Sequence, residues 1–124
     1  MNEGRLVELV AHDAAWAGKA AAEIERLRSA LGDVVVAAHH IGSTAIPGIM
    51  AKPIVDLMLV VRSLAAIDGC ETTVRRLGYN WRGEFGIPGR RFCSMDDANG
   101  RRVLHAHFYA AGNAEIEANL AFRD

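Results

Sequence analysis

The chain has 124 residues, a formal net charge of −1, 51% hydrophobic and 23% charged residues. That is one soluble globular domain at most, long enough to bury a core without disulfides, and too weakly charged for a general nucleic-acid binder. The longest apolar run, around Leu57–Val61, is far short of a membrane span.

The opening MNEGRLVELV carries an acid at once and has no long apolar core, so no signal peptide is expected. Cys70 and Cys93 are isolated, which is neither a disulfide framework nor a zinc pattern, so the default location is a reducing cytoplasm. Asp13 is placed to cap a helix running to about Leu31. Trp16, Ala20, Ile24, Leu27 and Leu31 fall on one face of it, and Gly32 ends it. Val34–Ile41 reads as a strand. Ile54–Val61 reads as a second, apolar on both faces and so central in a sheet.

Ser63 caps a second predicted helix reaching about Leu77, with Gly78 as its stop and Asp68-Gly69 as a weak point inside it. Three short strands follow, Tyr79–Gly83, Arg90–Met95 and Arg102–Tyr109. The turn GIPG separates the first two. Asn99-Gly100 makes a hairpin of the last two. A third helix opens near Ala114 and is still running at Asp124, so it is expected to be incomplete. The order α-β-β-α-β-β-β-α implies an α+β, layered fold: one mixed sheet with helices packed against it, in a single domain over 1–124.

The least ordinary stretch is HHIGSTAIPGIMAKPIVDLMLVV, from His39 to Val61. Gly42 follows a strand and allows close backbone approach to a ligand. Ser43 and Thr44 offer hydroxyl and N–H groups that suit an anion. Equally, they suit a plain turn. It is not a Walker loop, because Lys52 comes late and is followed by Pro53. Asp56 sits in an apolar strand, where a carboxylate is either satisfied locally or turned to a cleft. A hard cation such as Mg²⁺ or Mn²⁺ is the natural partner for a cleft carboxylate.

His105 and His107 project from one face of a strand, about 7 Å apart along the chain. With His40, which ends another strand, they and Asp56 offer a divalent-ion set. Two hydrogen-bonded histidines on a half-solvated strand are the bland alternative. Seven arginines against three acids lie between Arg75 and Arg102. Arg90 and Arg91 follow GIPG, and one of them is expected over the cleft to clamp a phosphate or carboxylate. A salt bridge to Glu84 is the alternative. Only Lys19 and Lys52 are lysines, so Lys52 stands out. Ser43, His40 and Asp56 lack a nucleophile elbow and support no specific Ser-His-Asp chemistry.

HHIGSTAIPGIMAKPIVDLMLVV, together with AHDAAW, GEFGIPGRRFC, VLHAHFY and NLAFRD, resembles the GrpB family. These are small bacterial proteins with a nucleotidyltransferase-like fold, distantly related to the DNA polymerase beta superfamily. The resemblance covers nearly the whole chain. It implies that Gly42 and Ser43 hold phosphate and that Asp56 is the first metal-binding acid. The second acid is replaced by Met58. The first expected function is therefore binding of a nucleotide or other phosphorylated small molecule. With it go phosphoryl or nucleotidyl transfer through Asp56, a divalent ion and Lys52. The alternative is an inactive binding module or protein partner linked to coenzyme A biosynthesis, since some members of the family are fused to dephospho-coenzyme A kinase.

Overall fold

The computed structural model describes residues 8–124, and the expectation of no export signal in the opening residues lies mostly outside them. Helix α1 spans Ala15–Leu31. Asp13 starts it as expected: its Oδ1 accepts from the Ala15 N–H at 2.8 Å. Trp16, Ala20, Leu27 and Leu31 are buried along one stripe, and Gly32 ends the helix at φ 60°. Val34 is drawn into the tight turn Gly32–Val34, so strand β1 begins one residue late, at Val35–Ile41.

Strand β2 is Val55–Val61. The single helix expected next is two short ones, α2 (Leu64–Asp68) and α3 (Glu71–Arg76). The break falls at Gly69-Cys70, where glycine costs most inside a helix. Ser63 does cap α2, its Oγ accepting from the Ala66 N–H at 3.0 Å. Strand β3 is only Asn80–Trp81, shorter than Tyr79–Gly83. Tyr79 instead buries its ring and donates its hydroxyl to Glu23 of α1 at 2.5 Å.

Strands β4 (Arg90–Asp96) and β5 (Arg102–Ala110) form the hairpin that Asn99-Gly100 announces. Asp97 Oδ1 closes its turn by accepting from the Asn99 and Arg101 N–H groups. Helix α4 spans Ala114–Arg123, started by the Asn113 side chain, which accepts from the Glu115 N–H.

The sheet order is β1-β2-β5-β4-β3. Strand β5 lies at its centre, parallel to β2 and antiparallel to β4. On one face, Val55, Leu57, Leu59, Val61, Cys93, Ala106 and Phe108 meet Trp16, Leu27, Ile67 and Val74 of helices α1 to α3 in the main core. Leu27, Leu57, Leu59 and Phe108 are fully buried. Each such side chain contributes about 1.5–3 kcal/mol relative to an exposed one. On the other face Ile41, Met58 and Tyr109 are covered by Ile116 and Leu120 of α4, and Arg90, Phe92 and Ser94 are buried as well. The rest of that second face carries the polar residues of interest. No helix among the described residues is long and apolar enough to cross a membrane.

Candidate functional site

Strand alternation turns Leu57 into the main core and Asp56 to the opposite face. The parallel register sets Asp56 opposite His105 and Met58 opposite His107. Three of the four expected metal-binding residues therefore converge. Asp56 Oδ1 lies 3.2 Å from His105 Nδ1 and 3.0 Å from His107 Nε2. The two imidazoles stand edge to face, 6.2 Å apart. Burial pushes the Asp56 carboxyl towards protonation, and the hydrogen bonds from both imidazoles more than offset it. The group is held below the ordinary carboxylate value.

His40 does not join them. It pairs with Leu57, so it belongs to the helix-covered face, while its neighbour Ile41 pairs with Asp56. Its Nε2 meets the Thr44 hydroxyl at 2.8 Å. Burial, as the largest influence, lowers its proton affinity. Thr44 is itself buried, its hydroxyl spent on His40.

Gly42 has φ 75° and ψ −174°, a region that only glycine occupies freely. A Cβ there would lie 2.9 Å from Asp56 Oδ2. Glycine thus lets the turn Ser43–Ala45 close over the carboxylate. Val10 and Ala51 exchange two backbone hydrogen bonds, at 2.9 and 3.0 Å, which fix the far side of the same connection. Between these walls is a cavity of about 370 Å³. Ser43, Thr44, Lys52, Asp56 and His105 line it, with Leu9, Met50 and Ile54 as its apolar part. Lys52 makes no ion pair among the described residues.

Of Arg90 and Arg91, one is expected over the cleft to clamp an anion, but both are otherwise engaged. Arg91 pairs with Phe108 in the register and so faces the helices. There it grips Asp68 with two bonds, 2.7 and 3.0 Å long. Arg90 does lie on the face of Asp56, but it is buried. It donates to the carbonyls of Glu84 and Phe85, and to His107 Nδ1 at 3.3 Å. Its guanidinium sits 4.6 Å above the Phe92 ring. Other arginines of the basic segment are paired likewise, Arg75 with Glu71 and Arg102 with Asp96.

Two participants escaped the sequence reading. Phe92 lies 5.0 and 5.1 Å from the rings of His105 and His107 and forms their floor. Arg102 donates to His105 Nε2 at 3.2 Å. Counting outward from the Asn99-Gly100 turn would have set Phe92 opposite His107. No such signal exists for Arg102, which lies beside a register shift between Met95 and Asp96. Cys93 is a core residue, its thiol pushed up to about 12 by burial, which removes it as a nucleophile.

By spacing, one ion could touch Asp56, His105 and His107, whose donor atoms all lie within 4.8 Å of one another. The chemistry fits less well. A single carboxylate with two imidazoles is a poor set for Mg²⁺, which takes oxygen ligands. The nitrogens that would not touch the ion face arginines. Ligating histidines ordinarily donate that second N–H to a carboxylate or carbonyl. The Mg²⁺ or Mn²⁺ expected from the sequence is therefore not well matched by the arrangement present.

Comparison with known proteins gives a consistent family. The model of the family described as GrpB protein matches residues 6–124. The UPF0157 protein YqkA of Bacillus subtilis is 41% identical over 120 residues, covering 97% of this chain and 34% of that protein. The dephospho-CoA kinase of Mycolicibacterium paratuberculosis is 37% identical over 76 residues, 59% of this chain and 19% of the kinase. The crystal structure of conserved protein GrpB from Enterococcus faecalis superposes with a TM-score of 0.88. It is 33% identical, over 94% of this chain and 70% of that one. The chain spans 34% of the length of YqkA and 59% of a second curated relative, a UPF0157 protein of Halalkalibacterium halodurans. The match over residues 6–124 and the shared α+β architecture lead to one conclusion: the chain belongs to the GrpB family.

Proposed function

We propose that the cavity beside Asp56 binds the phosphate groups of a nucleotide or other phosphorylated small molecule. The observation that carries this reading is the convergence of the Ser43-Thr44 turn, Lys52 and Asp56 on one cavity. Lys52 supplies the positive charge. Gly42 lets the turn close against Asp56, and Ser43 lines the wall. Leu9, Met50 and Ile54 suit an apolar part of the ligand. The resemblance to nucleotidyltransferases supports the same ligand class.

Binding is favoured over metal-dependent transfer. Met58 stands where the resemblance calls for a second acid, and it is fully buried against Ile41 and Tyr109. One carboxylate cannot hold the two ions that clamp attacking and leaving oxygens. A second reading, a partner role beside a coenzyme A pathway kinase, draws on the similarity to a segment of dephospho-CoA kinase.

A thermal-shift panel tests both. ATP, GTP, dephospho-coenzyme A and coenzyme A are each offered with Mg²⁺, with Mn²⁺ or with EDTA. A ligand at a hundred times its Kd adds about 2.7 kcal/mol of stability. The expected result is a shift with a phosphorylated ligand that survives EDTA and weakens at least about tenfold in Lys52→Ala, as loss of a charged hydrogen bond predicts. A shift that needs a divalent ion and disappears in Asp56→Ala would overturn metal-free binding and favour metal-dependent transfer, to be read by turnover. No shift with any of these ligands would refute the pocket reading and leave the partner role.

A further inference from the structure

Arginine has five N–H donors and no acceptor. Any imidazole nitrogen that meets a guanidinium must therefore present a lone pair. Arg90 Nη1 faces His107 Nδ1 at 3.3 Å, and Arg102 Nη1 faces His105 Nε2 at 3.2 Å. Both histidines then carry their proton on the other nitrogen. Those other nitrogens, His107 Nε2 and His105 Nδ1, are the two that meet Asp56 Oδ1.

We infer that Asp56, His105 and His107 form a proton-bearing clamp on a carboxylate, locked by Arg90 and Arg102, and not a metal centre. Both imidazoles aim N–H groups at Asp56 Oδ1. A metal ion needs lone pairs at those same two atoms. To provide them, each proton must move to the nitrogen that faces an arginine, where two donors would collide. Arg90 cannot step aside easily. It is buried, tied to the carbonyls of Glu84 and Phe85, and stacked on Phe92. It is a positioning residue acting through His107.

The clamp saturates Oδ1 and leaves Oδ2 without a hydrogen-bond partner among the described residues. That oxygen abuts Gly42, where glycine alone leaves room for it. Asp56 also lines the cavity. A carboxylate oxygen so placed accepts and does not donate. It selects a ligand that presents an O–H or N–H group beside its phosphate, such as the sugar hydroxyl of a nucleotide. This last step rests on the phosphate-pocket reading. The tautomer lock does not.

Long-range imidazole ¹H–¹⁵N correlation spectra of the full chain read the lock directly, with assignment by His105→Gln and His107→Gln. The expected pattern is a proton on Nδ1 of His105 and on Nε2 of His107. A proton on Nδ1 of His107 or on Nε2 of His105 would overturn it. Calorimetric titration with ZnCl₂ and MnCl₂ provides an independent readout. Wild type should take up no more of either ion than Asp56→Asn. The glutamine carbonyl can accept a hydrogen bond from an imidazole N–H where arginine cannot, so Arg90→Gln and Arg102→Gln should each bind Zn²⁺ about 10- to 100-fold more tightly than wild type, the usual effect of an outer hydrogen-bond partner. Arg102 is about one-third exposed, so its variant tests the idea even where the Arg90 variant fails to fold. Zn²⁺ or Mn²⁺ binding by wild type that Asp56→Asn abolishes would refute the inference. So would a folded Arg102→Gln with no gain. Failure of every phosphorylated ligand would leave the NMR result untouched, so the two readings fail separately.

Discussion

Gly42→Ala tests the geometry of the pocket with a single methyl group. The residue sits at φ 75° and ψ −174°. Forcing a side chain into that region costs about 1–3 kcal/mol. The new Cβ would also lie 2.9 Å from Asp56 Oδ2 and 3.2 Å from Asp56 Cβ. Neither can retreat freely, since the carboxylate is held by two imidazoles and its Cβ by the strand. Overpacking of this kind adds about 1–3 kcal/mol. The sum is on the order of 2–6 kcal/mol, a large share of the roughly 5–15 kcal/mol that holds a domain folded. For a chain of this size that lowers Tm by on the order of 10 °C. Urea unfolding followed by far-UV circular dichroism gives the free energy. Gly48→Ala is the control: φ there is 86°, but nothing lies within 4 Å of its Cβ, so only the backbone cost applies. A Gly42→Ala protein no less stable than Gly48→Ala would show that the turn does not press on Asp56 and would refute the close-approach argument.

Gly18 lies exposed within α1, and a Cβ there meets nothing within 4 Å. Gly18→Ala should stabilise the protein by about 0.5–1 kcal/mol, read as a raised urea midpoint at unchanged slope. Burial depresses the proton affinity of both His39 and His40 in the folded chain. The unfolded chain therefore binds more protons below the normal imidazole range, and stability should fall as pH drops from about 7 towards 5. His40→Gln should flatten part of that slope, as followed by urea midpoints across pH. Asp56 is more acidic folded than unfolded, so its contribution is complete above the usual carboxylate range and is lost as pH falls through its folded value. Asp56→Asn should abolish that acid limb.

Much of this architecture is written in local pattern. Asp13, the Trp16-to-Leu31 stripe and Gly32 define α1 by themselves, because capping and periodicity act within a few residues. The spacing of His105 and His107 and the isolation of Asp56 mark one strand face each, and the structure brings the two faces together. What failed was parity between strands. Whether His40 shares a face with Asp56 depends on the register across the long 42–54 connection, which no local rule sets. Arg90 and Arg91 are the opposite case: one had to face the helices, and the β4–β5 register that follows from counting out from the Asn99-Gly100 turn makes it Arg91. The split at Gly69 shows the reverse case, where the weak point was legible and its consequence depended on how α2 and α3 pack on the sheet.

The central place of β5 has a consequence for how the chain folds. The β4–β5 hairpin closes over a short turn, and β1 finds β2 across one connection, so each pair can form on its own. Joining them requires the parallel pairing of β2 with β5, between residues 49 or more positions apart for Asp56 and its two imidazoles. Closing so long a loop costs entropy before any contact repays it, which makes such pairing a late and slow event. Asp56 meets His105 and His107 only across that seam. The clamp therefore forms only when that seam closes, and the imidazole signals of His105 and His107 would report its closing.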